Sequence, residues 1–233
     1  MGNKTYHLTT PVTKEQTASL RAGDVVYLKG TVFTMRDRAH EQLFARANAG
    51  QKPPFALAGA AVWHCGPVSR QNANQEWSIT SIGPTTSYRL TRETPRLLAE
   101  FGVKILIGKG GMGYEAVQAI GQQGAVFLAA TGGCGSVYAQ SVQRVRQIHW
   151  PELGLPEAVW ELEVDNLGAL IVAIDSTGAT LYDAVMKEAK NRLEDCYRQL
   201  GIKDPEYRYI HWPPTLAGTK EVPASLAKTG GGE

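Results

Sequence analysis

Two short segments carry the residue types that could do chemistry: Gly83-Pro84-Thr85-Thr86-Ser87-Tyr88-Arg89 and Gly108-Lys109-Gly110-Gly111-Met112. Together they offer two hydroxyls, a guanidinium and an ammonium, each beside turn residues. That set suits a small anionic substrate such as a carboxylate. Arginine grips a planar carboxylate with two parallel donors, while lysine acts as a point charge. Glycine lets the backbone at Gly110 approach a ligand closely. Thr85 and Arg89 stand four residues apart, which puts them on one face if the segment opens a helix. One Thr is explained as a helix cap. That use leaves Arg89 unexplained, and a helix N-terminus itself attracts anions.

A further cation, Arg36, follows a β-rich run and falls where a strand end could meet a substrate. Asp37 beside it reads as a helix cap, and His40 as a cover for the helix's first turn. His64 and Cys65 also end an apolar run. Adjacent strand residues point to opposite faces, so they do not read as a nucleophilic pair. Gly108, Gly110 and Gly113 formally fit GxGxxG. The residues from Ala125 to Thr131 lack the acidic partner a dinucleotide site needs, and no Lys-Ser/Thr ending marks a P-loop. A nucleotide-binding module at Gly108–Gly113 stands as a competing reading, as does a non-catalytic carboxylate-binding protein.

The elements that must position these residues alternate in type. Val25–Leu28 and Thr31–Thr34 read as two strands or one kinked strand, and residues 37–48 as a helix ended by Lys52-Pro53-Pro54. Residues 55–63 hold a buried strand, and 77–82 a half-buried one broken by Gly83-Pro84. A helix over 85–101 is interrupted by Pro95. Residues 103–107 and 125–130 are strands that run into glycine turns, followed by helices over 114–122 and 136–142. Residues 160–164 and 169–174 read as strands joined through Asp165-Asn166, and 181–200 as an amphipathic helix ended by Gly201. Residues 1–20 read as an extended arm. Strand, glycine turn and helix in succession make the middle third α/β, with ligands expected at the carboxyl ends of the strands.

The chain has 233 residues. We expect one domain over 1–202 and a Pro- and Gly-rich tail over 203–233. That tail either docks onto a partner chain or a neighbouring copy, as Tyr207, Tyr209, His211 and Trp212 suggest, or is partly disordered. The net charge of +2 leaves no nucleic-acid or anionic-membrane footprint. No apolar run reaches the roughly 18 residues a membrane span needs. The N-terminus has no apolar core of a secretory signal, so a cytoplasmic location is expected. Cys65, Cys134 and Cys196 are far apart and form no CxxC pair, so they read as small buried hydrophobes rather than a metal site.

Taken in order, GDVVYLKGTVFTMRDRAH, HCGP, SIGPTTSYR and IGKGGM resemble the β subunit of iron–sulfur class I hydro-lyases. That family includes class I fumarases and L(+)-tartrate dehydratase. The resemblance covers about residues 8–200, and the start at Met1 makes the chain similar to the separate β subunit. It implies a swivelling β/β/α domain, as in the C-terminal domain of class I fumarases. It implies an α-subunit partner in an α2β2 assembly. That partner would hold the four-iron, four-sulfur cluster on three cysteines of its own. Thr85 would be the catalytic base. Arg36, Arg89 and Lys109, with Thr86 and Gly110, would bind the dicarboxylate. Fumarases tend to read Thr-Thr-Ala-Gly-Arg where this chain has Thr85-Thr86-Ser87-Tyr88-Arg89. With HCGPVSRQN, IHWPELGLPEAVW and ALIVAIDSTGATL, that departure favours tartrate dehydratase, with class I fumarase as the alternative.

Overall fold

The structure, a computed structural model, describes residues 4–201. The tail expected over 203–233 lies outside the described residues. The strands are β1 (Thr5–Thr10), β2 (Val25–Thr34), β3 (Ala61–Trp63), β4 (Val68–Gln71), β5 (Trp77–Ser81), β6 (Ile105–Gly108), β7 (Val126–Ala129), β8 (Val142–His149) and β9 (Val159–Ile174). The α-helices are α1 (Lys14–Ala18), α2 (Asp37–Asn48), α3 (Thr94–Phe101), α4 (Tyr114–Gln123), α5 (Gly135–Ala139) and α6 (Leu181–Gln199). The chain divides into two units, Met1–Val185 and Met186–Glu233. The first holds every described strand. Of the second, the described residues comprise the rest of α6 and the two residues after it. No described helix is long and apolar enough to cross a membrane.

β2, β3, β6 and β7 run parallel in that order, and β9 lies antiparallel to both β7 and β2. The ladder therefore closes into a five-stranded ring. β1 extends it beside β2, and β8 beside β9. β4 and β5 form a separate hairpin.

Alternation sorts the side chains of the ring. Val26, Leu28, Val32, Trp63, Ile105, Ile107, Val126 and Leu128 pack in one cluster. The residues between them, Phe33, Val62, Leu106 and Phe127, pack in a second cluster with Leu43 of α2, Leu97 of α3 and Ile120 of α4. Strands buried on both faces read as continuous apolar runs, as 103–107 and 125–130 do.

Several expectations change. β2 is one strand. Gly30, at φ +101°, leaves room for β1, since a Cβ there would lie 2.7 Å from the Thr10 carbonyl oxygen. The arm at 1–20 is β1 followed by α1, whose Thr13 and Gln16 form a reciprocal capping box. Only residues 61–63 of the 55–63 run are strand. The helix over 85–101 is a single 3₁₀ turn, Ser87–Leu90, followed by α3, where Pro95 occupies the first turn that suits proline. α5 ends at Ala139, and Val142 opens β8, a strand the sequence reading missed. The strands at 160–164 and 169–174 are one continuous β9, with Asn166 at φ +56°.

Candidate active site

The site grows from the carboxyl ends of β2, β3 and β6. Past those ends the ladder continues: Met35 N donates to Trp63 O at 2.9 Å, and His64 N to Ile107 O at 2.8 Å. Beyond His64, residues 84–87 take a strand's place between the extensions of β3 and β6. Cys65 bridges Pro84, and Thr86 bridges Lys109. Thr85 N donates to His64 O at 2.7 Å, Lys109 N to Thr85 O at 3.2 Å, and Ser87 N to Lys109 O at 3.1 Å. Backbone bonds thus lock the Thr85 and Lys109 segments together.

The side chains follow from that lock. Arg89 donates from Nη2 to Thr85 Oγ1 at 3.1 Å and pairs through the same nitrogen with Asp37 Oδ2 at 2.8 Å. Asp37 is the first residue of α2 and not its cap: Arg36 takes the cap position, without a side-chain cap bond. Thr86 precedes the 3₁₀ turn and likewise makes no cap bond, so its exposed hydroxyl is not spent on the helix end.

Arg36 Nε lies 3.2 Å from Glu157 Oε1, yet off the hydrogen-bonding direction, so its buried N–H lacks a partner. The Lys109 stem runs past Gly132, in the turn after β7, where an added Cβ would lie 3.5 Å from Cδ. Among the described residues Lys109 makes no ion pair. Gly110, at φ +74°, accepts from Tyr182 Oη at 2.6 Å.

Packing accounts for two glycines of the GxGxxG match. A Cβ on Gly108 would collide with Ser87 Oγ, and one on Gly113 would lie 2.6 Å from Thr91 Cγ2. Gly113 N already donates to Thr91 Oγ1 at 2.9 Å. Gly110, where an added Cβ would meet nothing within 4 Å, is the glycine of the match that packing leaves open.

His64 is fully buried, with Nδ1 2.9 Å from Ser87 Oγ. Burial pushes its imidazole well below the usual histidine range, and His40 and Arg89 push it the same way. Burial also lowers His40, whose ring is 1% exposed rather than covering a helix turn at the surface. Burial raises Cys65 well above the usual thiol range, against the opposing pull of Arg36. At neutral pH this corner therefore holds two neutral imidazoles and a thiol.

The structure brings Arg36, Thr85, Thr86, Arg89, Lys109 and Gly110 to one edge of the ring. Sequence reasoning missed their partners Ser87, Glu157 and Tyr182, read Asp37 as a cap and set His64 aside. Only HCGP, a His at a strand end, hinted at any of them. Among the described residues, no group of three His, Cys, Asp or Glu side chains could hold a metal ion. Cys65 is buried, Cys134 half-buried and Cys196 exposed.

Residues 2–185 match the model of the Fumarase C-terminus family. The chain belongs to that family. The matched stretch contains the whole site, from Arg36 to Tyr182, and the barrel-cored α/β fold fits this fumarase C-terminal domain. An Escherichia coli K12 protein named L(+)-tartrate dehydratase subunit beta is 38% identical over 175 residues, 75% of this chain and 85% of that one. A Methanocaldococcus jannaschii protein provisionally given the same name is 40% identical over 185 residues, 79% of this chain and 94% of that one. A provisionally named class I fumarate hydratase of Geobacillus stearothermophilus is 36% identical over 186 residues. That match spans 80% of this chain and 35% of that protein.

Proposed function

We propose that this chain is the β subunit of a hydro-lyase that removes water from a C4 hydroxy-dicarboxylate, L(+)-tartrate first, and works with an α subunit. One observation carries the reading. Thr85, Arg89 and Lys109 are fixed together by backbone and side-chain hydrogen bonds at the strand ends, in a chain whose relatives are named as such β subunits. The working domain is residues 1–202, with 203–233 as a partner-docking tail.

In this reading Thr85 Oγ1 takes the proton from the carbon beside a substrate carboxylate. The electron pair left behind spreads into that carboxylate as a dianion and then expels the neighbouring hydroxyl as hydroxide, which becomes water with the proton that Thr85 gives up. A threonine hydroxyl is a weak base, so the site must favour its anionic form. The Arg89 guanidinium, 3.1 Å away, supplies that stabilisation and aims a lone pair of Oγ1. Asp37 holds Arg89 from behind. Lys109 offers a charge with no ion-pair partner among the described residues, suited to the carboxylate where negative charge builds. Arg36 supplies a second cation for the other carboxylate, with Thr86 and the Gly110 backbone beside it.

The described residues do not fit an iron–sulfur cluster. The family resemblance assigns that group to the α subunit, in an α2β2 assembly. Co-expression with the α subunit and anaerobic assay on L(+)-tartrate, D-tartrate, malate, fumarate and mesaconate tests the reading. Dehydration of L(+)-tartrate is the expected result; preferred hydration of fumarate would favour the fumarase alternative, which the Geobacillus relative supports. Turnover of none of them would sink the reading.

A further inference from the structure

One buried pair beneath the Thr85 segment has no part in that chemistry. His64 Nδ1 and Ser87 Oγ lie 2.9 Å apart, and both residues are fully buried. The backbone of His64 accepts from Thr85 N at 2.7 Å and donates to Ile107 O at 2.8 Å. Ser87 N donates to Lys109 O at 3.1 Å, and Gly108 leaves the space that Ser87 Oγ fills. One histidine thus grips the 85–87 segment by main chain and side chain at once.

Its ring has a second neighbour. His40 meets it at 5.8 Å between centroids and 64° between planes. His40 Nδ1 lies 2.8 Å from the carbonyl oxygen of Arg36. A carbonyl only accepts, so His40 Nδ1 carries the proton. The two rings therefore join the backbone of Arg36, at the end of β2, to Ser87 and through it to Lys109, at the end of β6. His64 Nε2 has no hydrogen-bond partner despite its burial. An apolar side chain would fill this space without orphaning a polar atom, so packing alone does not explain the choice.

We propose that His64 is a positioning residue. Through Ser87 on one side and His40 on the other, it sets the Thr85–Arg89 segment against Arg36 and Lys109. The proposal rests on the hydro-lyase reading. It says nothing of proton transfer by His64, whose link to the reaction runs through Ser87.

The test compares two lost hydrogen bonds in the assembled α/β complex. S87A removes the pair. T17A removes a buried bond from Thr17 Oγ1 to Gly124 O, 2.7 Å, near the amino end of β7 and away from the site. Both should lower thermal stability to a similar degree. S87A should lower kcat about 100-fold, as small misplacements of reacting groups do. Its KM should change less than about threefold, and T17A should leave kcat within about twofold of the wild type. H64N presents an amide at the Nδ1 position and should recover more kcat than H64Q, which reaches the Nε2 position instead. Wild-type kcat in S87A, equal losses in S87A and T17A, or H64N no better than H64Q would each overturn the positioning role alone. A wild-type complex inactive on every C4 dicarboxylate would overturn it together with the hydro-lyase reading.

Discussion

Arg89 donates to Thr85 Oγ1 across 3.1 Å, and the nitrogen that does so also faces the Asp37 carboxylate at 2.8 Å. A single guanidinium nitrogen thus links the proposed base to the first residue of α2. T85A should lower kcat in the α/β complex by about 10²- to 10⁴-fold, the range for a positioned acid–base group. Retained turnover in steady-state assays of that variant would remove Thr85 from the mechanism.

Arg89→Lys should be nearly as damaging. An ammonium is a point charge on a flexible stem, so it lacks the rigid plane that holds Nη2 against both partners. The expected loss in kcat is about 100-fold, and addition of guanidine to R89A should restore part of it. Asp37→Asn is the informative contrast. The Arg89–Asp37 pair is some two-fifths exposed, and such pairs contribute only about 0.2–1 kcal/mol. Its kcat/KM should fall by less than about tenfold.

Lys109→Met keeps the stem over Gly132 and deletes the charge. Lost binding of a substrate carboxylate would raise KM. Lost stabilisation of the dianion would lower kcat as well, and we expect both. A loss of about 10²- to 10³-fold in kcat/KM is the scale for removing one such donor. Unchanged kcat/KM on dicarboxylates would take Lys109 out of the site.

Gly108→Ala places a methyl where Ser87 Oγ now lies. Overpacking of this kind costs about 1–3 kcal/mol. Here it must also push Ser87 away from His64, so activity should fall further than stability. Differential scanning calorimetry beside turnover separates the two, and a variant with the wild type's kcat would contradict the packing argument.

The two buried histidines predict how stability follows pH. Folding lowers the proton affinity of both, chiefly by burial; for His64 the charges of His40 and Arg89 add to that, while for His40 Glu93, Asp37 and Glu157 partly offset it. The unfolded chain therefore binds more protons below about pH 6.5, and acid favours unfolding. Stability should be constant with respect to these groups above that pH and fall beneath it. The slope is on the order of 1 kcal/mol per pH unit for each histidine. Urea titrations from pH 7.5 to 5.0 check this, and H40F should flatten the slope. An unchanged slope would assign the acid sensitivity to other groups.

The sequence made α2 and the strand–turn–helix run from 103 to 135 legible, because apolar spacing and glycine placement agree there. β8 escaped notice for a physical reason. Its half-buried residues Val142, Val145 and Ile148 recur every third position, because register shifts interrupt its pairing with β9 and hide the period of two. β9 looked like two strands because Asp165-Asn166 is a turn signal, yet pairing with β2 and β8 on one stretch and β2 and β7 on the next carries the strand through it. In the site, the types and spacing of Thr85, Arg89 and Lys109 pointed to anion chemistry. Asp37, Ser87 and His64 did not stand out, since their meaning depends on which strand ends become neighbours.

β9 offers no side chain to the site, but it closes the ring whose other strands carry Arg36, His64 and Lys109 at their ends. An open sheet can widen between two strands and leave the rest undisturbed. A closed one cannot, so the spacing of those three residues is a property of the whole circumference. Substitutions at Leu162, Leu167 or Leu170 of β9, all buried, belong among the determinants of turnover. A search for activity-altering variants confined to the neighbourhood of the substrate would pass over them.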